Sequence, residues 1–582
     1  MNVEKHDDLS TLWDGVDWSR RQLTKTRETR LNLIKQYVGY YYGDNGSPVP
    51  LPLNMIQLGV NVYMQHLSSG LPKVLVLSKS PILRPYAANL EILLNKVLAE
   101  MKIHNIFQRV AMEALFGFGV CKVGVNASDS VDLGGYLHNP SMPFVEYIDF
   151  DDYVCDMTAK RWEEILFEGN RYYLPFEQVL ASGVFNSKAL ANIKPVKEIN
   201  IVNETGDSKA QSITISTTID KSIKEYIILW DFWLPQEKKF ITVADPLCWS
   251  GDWQPLRVVD WDEPEHGCYH KLIFYDVPGN LIPIAPVSSW LDIHTIVNQI
   301  YNKLAKQALR QKTLTAVGVT GDQDIQKINQ AMDGESIPLR DPNATAELKF
   351  GGIDQLNMAF GQHLRELSSY IQGNLDMLGG LRPQADTLGQ ERMLYSTASI
   401  RLQQMINRMN DFAEDVITDI AYYLWTDPIA VYSIEKRIPG TSITVNTELR
   451  PEHRKSEIFN YSIKIVPYSM TELTPQQRLQ ALMQFVGSVY MPLAQIFMQN
   501  GVILDLQEFT RLYAKYTNME EDFERLIGTT VQMDVPNSPV ARPAGVAEEG
   551  RPASQEDINA QSQQMMQQIM AQAMAQGGGE QA

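Results

Sequence analysis

WLDIHTIVNQIYNKLAKQALRQK, residues 290–312, organises the reading of the whole chain. Ile293, Ile296, Val297, Ile300, Leu304 and Ala308 recur at the spacing of one helical face. Lys303, Lys306 and Arg310 form a separate stripe at three- and four-residue intervals. The spacing predicts a helix with a packing side and a cationic side. By itself the cationic side fits either a solvated face or a nucleic-acid contact, since any amphipathic helix carries surface charge. The order around it narrows the choice: a short β-rich insert, a second helix at 361–374, the Gly/Pro-rich loop GGLRPQADTLGQ at 379–390, then a long helical stretch at 390–425.

With 582 residues the chain is long enough for several structural units, and an apolar share of 44% supplies a packed interior. The formal net charge of −18 argues against a protein that coats DNA with a broadly basic surface, because phosphate neutralisation needs clustered Lys and Arg. It is compatible with an acidic tube carrying a few cationic rings, through which a duplex slides. Cys121, Cys155, Cys248 and Cys268 are scattered without metal-site pairing, as expected of reduced thiols in a cytoplasmic protein. The start, MNVEKHDDLSTLWDG, lacks signal-peptide character and no apolar run approaches a bilayer-spanning length, so no membrane insertion is expected.

The N-terminal region reads as helical, over 17–42 with a basic beginning at Arg20, Arg21, Lys25, Arg27 and Arg30, then over 54–67, 84–101 and 105–116. After Val120 short alternating runs predict strands at 121–125, 144–148, 164–168, 225–233 and 239–243, with a hairpin turn at 235–238. Residues 186–221 are polar and Ser/Thr-rich, which predicts a surface insertion. Strands are expected at 442–445 and 461–466 and a helical cluster at 474–526. The Pro/Gly-rich segment from Val531 reads as a linker, and the Gln/Met-rich tail beyond it as either disordered or a short amphipathic helix.

The chain carries no GxxxxGK[ST], HExxH, GxSxG, paired CxxC or helix-opening GxGxxG, so neither a packaging ATPase nor a common hydrolase is indicated, and no cofactor is implied. Two clusters have residue types that could ligate a metal. Asp149, Asp151, Asp152 and Asp156 read either as turn-forming carboxylates or as a nuclease-like cation site. His266, Cys268 and His270 alternate and would share one strand face, yet no fourth ligand is evident for zinc.

Several segments resemble, in order, those of the portal (head-tail connector) proteins of tailed bacteriophages, across roughly residues 27–526. PLPLNMIQLGVNVYMQHLSSGLPKVLV (50–76) resembles their N-terminal region, and AMEALFGFGVCKVGV (111–125) their helix-to-strand step. VEYIDFDDYVCD (145–156) followed by EEILFEGNRYYLPFEQV (163–179) resembles the portal wing. EYIILWDFWLP (225–235), then 283–312, resembles the entry into the first stem helix. Each motif is short; their order is the restrictive feature.

The resemblance implies an α+β portal fold: 1–286 as the N-terminal part of the wing, 287–312 and 356–378 as stem helices, and 313–355 as a β-containing clip. It places a tunnel loop at 379–390, the wing's long helix and strands at 391–470, a helical crown at 471–530 and a flexible tail at 531–582. It further implies a ring, usually of twelve copies, at one capsid vertex of the virion, made in the host cytoplasm. The implied partners are double-stranded DNA in the channel, the terminase large subunit, capsid and scaffolding proteins, and head-tail adaptor or tail proteins. On that expectation Lys303, Lys306 and Arg310 approach the channel, and Leu381, Arg382, Pro383, Gln384 and Asp386 form the tunnel loop. Ile293, Ile296, Ile300 and Leu304 meet the neighbouring subunit, because two stem helices are not expected to bury that stripe alone. The competing readings are a metal-dependent nucleic-acid enzyme using residues 149–156 and a nonviral helical scaffold.

Overall fold

The computed structural model describes residues 6–41, 47–68, 70–126, 131–132, 137–138, 142–195, 225–261, 264–310, 312–317, 345–350, 352–373, 388–437, 444–466, 470, 479, 483–484 and 486–492. The chain divides into two compact units, Met1–Leu473 and Thr474–Ala582. In the second unit residues 479, 483–484 and 486–492 are described, among them a π-helical turn at Val486–Tyr490; the rest of the expected crown, and the tail, lie outside the described residues. The first unit mixes helices with antiparallel sheets, as expected of an α+β protein. No helix among the described residues is long and apolar enough to cross a membrane.

Four helices open the chain: α1 (His6–Val38), α2 (Met55–Leu67), α3 (Arg84–Glu100) and α4 (Ile103–Phe116), with strand β1 (Val74–Ser78) between α2 and α3. Helix α1 begins well before the expected residue 17, because Leu9, Leu12 and Val16 are buried. Its apolar side serves three separate cores in turn, through Leu9 to Val16, then Leu23, then Leu33. Asn54 caps α2: its side chain accepts from the Gln57 amide and donates to the carbonyls of Gln36 and Tyr37. Asn54 is thus an N-cap that also ties α1 to α2.

The strands that follow are β2 (Gly119–Asn126), β3 (Val131–Asp132), β4 (Leu137–His138), β5 (Met142–Ile148), β6 (Tyr153–Cys155), β7 (Glu168–Pro175), β8 (Tyr226–Leu234), β9 (Lys239–Ala244), β10 (Arg257–Asp260) and β11 (Tyr269–Leu272). They form a three-stranded sheet, β11-β2-β5, a five-stranded sheet, β10-β9-β8-β7-β6, and the small pair β3-β4. The strand expected at 164–168 is displaced: Trp162–Glu164 is a 3-10 turn, Ile165 and Phe167 plug into the cores, and pairing begins at Glu168. Short helices α5 (Phe176–Ala181) and α6 (Ser187–Leu190) follow β7. The polar insertion therefore starts later than residue 186, because Ala189 is buried and Ile193 bridges Trp249. Residues 196–224 lie outside the described set.

Beyond β11, helix α7 (Ser288–Leu309) leads into the antiparallel hairpin β12 (Lys312–Val317) and β13 (Thr345–Phe350), and α8 (Gln355–Ile371) returns. Helix α9 (Leu388–Thr426) then runs 39 residues, followed by the hairpin β14 (Tyr432–Arg437) and β15 (Thr444–Leu449), and by β16 (Tyr461–Ile465), which pairs with β1. Buried Leu402, Met405, Met409, Phe412, Ala413, Val416, Ile417, Ile420, Ala421 and Leu424 keep helical spacing along α9 and complete the main core with α2, α3 and α4. The four cysteines are free and buried.

The step from α4 to β2 turns on Gly119, where a Cβ would lie deep inside contact distance of the Val110 carbonyl oxygen on α4. The blocking atom is backbone, so it cannot swing aside. Gly119→Ala is expected to destabilise the fold by about 1–3 kcal/mol, the usual penalty of overpacking, read as a lowered unfolding midpoint. An unchanged midpoint would show that α4 and β2 can separate freely.

Candidate nucleic-acid interface

Helices α7 and α8 lie antiparallel: Gln307 accepts from the Asp354 amide, Gly361 sits against Ile300 and Tyr301, and Ile293, Val297 and Leu364 share a small core. The pair is rooted in the N-terminal helices by paired polar contacts. Asn298 accepts from the Leu53 amide at 3.0 Å and donates to the Leu53 carbonyl at 2.9 Å, and one turn on Asn302 donates to the Pro50 carbonyl at 2.8 Å. Trp290 stacks tilted on Tyr63 of α2, whose hydroxyl donates to the Gln372 carbonyl just past α8. Gly59 allows this approach, since a Cβ there would meet the Gln372 side chain at 2.5 Å and the Trp290 ring at 3.0 Å. The root is specific and runs from the buried Tyr63 bond, through the part-buried Leu53 pair, to the exposed Asn302 contact.

The outer surfaces of the pair differ. Lys303, Lys306 and Arg310 are exposed on one side of α7, as the spacing predicted. The apolar stripe behaves differently from expectation: Ile293 and Leu304 are buried inside the chain, Ile300 is half-buried against Gly361, and only Ile296 is exposed. The assumption that two helices could not cover the stripe fails because α8 presents Gly361 and Leu364 to it. The apolar surface left open lies instead on α8, where Leu356, Phe360, Leu367 and Tyr370 are exposed on one helical face. Its spacing was legible in the sequence; that this face, and not that of α7, stays open depends on how the helices pair. Leu381, Arg382, Pro383, Gln384 and Asp386 lie outside the described residues, as do 318–344 between the hairpin strands.

The carboxylates at 149–156 are held by cations and amides. Arg30 pairs with Glu113 and approaches Asp149 and Asp151 at 3.9 and 3.6 Å, Arg27 reaches Asp151 at 4.0 Å, and Arg171 binds Asp152 at 2.9 Å. Asp156 accepts from the amides of Thr158 and Leu166. Burial opposes the Arg30 charge, but Glu113 and Asp151 outweigh it and raise its pKa. Arg27 and Arg30, in the second half of α1, thus neutralise a half-buried acidic turn, in line with the turn-forming reading of this cluster.

The His/Cys alternation is broken. Gly267, with φ +85°, turns the chain sharply, so His266 folds back beside His270 while Cys268 points into a core with Phe118 and Tyr153. The third member comes from α9: Asp419 accepts from His270 Nε2 at 2.7 Å and lies 3.2 Å from His266 Nε2. Burial would raise the Asp419 pKa, but hydrogen bonds from His266 and His270 hold it below the usual range; the same bond raises that of His266. Among the described residues this is the one group of three His, Cys, Asp or Glu with converging donor atoms. No local signal could have supplied Asp419, which is 149 residues from His270.

Comparison with known protein families finds none that matches the chain, and comparison with curated proteins finds no relative.

His294, fully buried on α7 beside Asn298, has its pKa lowered to about 4 by burial. The unfolded chain binds this proton near pH 6.5 and the folded chain does not, so its penalty is absent above that pH. It grows as pH falls from 6.5 toward 4, reaching about 3 kcal/mol at the acid end. His294→Leu is expected to flatten the pH dependence of stability in this window, measured by denaturant unfolding at pH 7 and pH 5. Parallel profiles for variant and wild type would mean that His294 titrates normally.

Proposed function

We propose that the chain is a portal protein, one subunit of a ring at a capsid vertex that conducts double-stranded DNA. The observation that carries this reading is the antiparallel pair α7/α8, capped by the β12–β13 hairpin, with one exposed cationic side and one exposed apolar side. A helix pair that stands on a rooted base and ends in a hairpin has the order of a stem with its clip. The long helix α9 that follows, packed across the mixed body, takes the place of the wing helix.

In this reading the two faces have separate tasks. A rotational ring uses two different patches of each subunit, one meeting the other on the next copy. The face of Leu356, Phe360, Leu367 and Tyr370 supplies one patch and exposed Ile296 lies within the other. Lys303, Lys306 and Arg310 repeat around the ring as discrete positive belts in an acidic protein. Contacts of this kind are salt-dependent and exchange readily, so they slow a moving duplex without holding it. The work of packaging comes from the terminase large subunit, and the ring also engages capsid, scaffolding and head-tail adaptor proteins. The 149–156 carboxylates are engaged by arginines or amides, which favours the portal reading over the enzyme alternative.

Negative-stain imaging of the purified chain is expected to show rings with a central channel; a compact dimer or a filament would favour the scaffold reading. Phe360→Asp with Leu367→Asp places charge on an exposed face, so the subunit should fold with an unfolding midpoint near that of wild type yet fail to form rings. Rings from this double variant would remove the α8 face from the interface. Reversing Lys303, Lys306 and Arg310 to Glu should leave the ring intact and alter DNA packaging or retention; wild-type packaging and retention across salt concentrations would make the stripe a solvated surface.

A further inference from the structure

We infer that His266, His270 and Asp419 form a binding site for a divalent transition-metal ion of the zinc type, which clamps the β11 turn to the long helix α9. The donor set is two imidazole nitrogens and one carboxylate, which suits Zn²⁺ and its borderline neighbours and is too nitrogen-rich for Ca²⁺ or Mg²⁺. The geometry is convergent. Both histidines present Nε2 to the same carboxylate, at 2.7 Å for His270 and 3.2 Å for His266, and all three donor atoms lie within 4.8 Å of one another.

The backbone is shaped to bring these atoms together. On an uninterrupted strand His266 would stand in line with Cys268 and His270. Gly267 breaks that line: its amide donates to the Pro264 carbonyl, its φ is +85°, and a Cβ there would meet the Trp233 ring at 2.6 Å. Glycine at this position lets the chain fold His266 over His270, with ring centroids 5.2 Å apart. Asp419 and His270 are buried, with side chains 2% and 5% exposed, while the His266 side chain is 55% exposed. The cluster thus has a fixed floor and one accessible ligand.

The accessible side opens on a cavity of about 1000 Å³. His266 and His270 line it, with Asp415 and Asp411 from the preceding turns of α9. Three protein ligands leave a further coordination position on this side for water or for Asp415, which sits one helical turn before Asp419. A bound ion would join residues 149 and 153 positions apart in sequence, across the contact of α9 with the strand end it packs on.

The test uses the tag-free full-length chain stripped with a chelator. Zn²⁺ is expected to bind at one ion per chain and raise the unfolding midpoint, and Co²⁺ is expected to give the visible absorption of a nitrogen- and oxygen-ligated site. His266→Gln removes the exposed ligand with little loss of packing. Its metal-free midpoint should match wild type, and its Zn²⁺ affinity should fall at least about tenfold, no less than the loss of an outer-shell partner. Asp419→Asn should abolish the Co²⁺ spectrum. Absence of both a Zn²⁺-dependent midpoint shift and a Co²⁺ spectrum in the wild type, or unchanged Zn²⁺ affinity in His266→Gln, would overturn the site and leave the cluster as a hydrogen-bonded latch.

Discussion

The buried seam along α9, from Leu402 to Leu424, is the constraint on which the rest of the first unit depends. A helix that carries so regular an apolar stripe must be covered along its length, and here the cover is drawn from distant parts of the chain. Helices α2 and α3 and strands β2, β5, β11 and β16 pack on it, and Phe107 of α4 meets Phe412 edge-on. Each large aliphatic or aromatic side chain along the seam contributes roughly 1.5–3 kcal/mol of burial. The body therefore cannot close until residues after 400 have met residues before 120. The stem-like pair α7/α8 is an excursion made between those two halves of one core.

That excursion can expose so much apolar surface because its root is specific. The reciprocal hydrogen bonds of Asn298 with the Leu53 backbone, and the Tyr63 to Gln372 bond beside Trp290, fix the pair to α2 and the residue that precedes its cap. A purely greasy joint would allow the pair to lie down on the body and hide Leu356, Phe360, Leu367 and Tyr370. The acidic interior turn is managed in the same manner, with Arg27 and Arg30 of α1 placed against Asp149 and Asp151 and Glu113.

Much of this was legible in the sequence. The helices at Met55–Leu67, Arg84–Glu100 and Ser288–Leu309, the hairpin Tyr226–Leu234 with Lys239–Ala244, and the long helix lie within a few residues of where periodicity, caps and turn residues put them. What was not legible is whatever depends on partners far away in the chain. The N-terminal extension of α1 is helical because Leu9, Leu12 and Val16 find the five-stranded sheet, which local spacing cannot report. Ile293 and Ile300 read as an open stripe only until α8 is laid against them. Alternation groups His266 with Cys268 and His270 on one strand face, but the turn that Gly267 permits keeps the two histidines together and removes Cys268, and strand spacing carries no sign of Asp419.

A ring built from two unlike faces closes only if the angle between neighbouring copies is held, since a small error repeated at every contact yields an open helix in place of a circle. In the proposed portal that angle is set where the stem meets the body, not at the outer surface of the stem. The polar root makes it well defined: displacing α7 along α2 would break both Leu53 bonds and leave the buried Asn298 Oδ1 without its donor, at roughly 1–3 kcal/mol for a buried group left unsatisfied. Apolar faces alone tolerate sliding, because burial is indifferent to register. In the proposed ring the division of labour follows from that difference, with directional bonds fixing the geometry at the root of the α7/α8 pair and the exposed apolar face of α8 available for contact with a neighbouring copy.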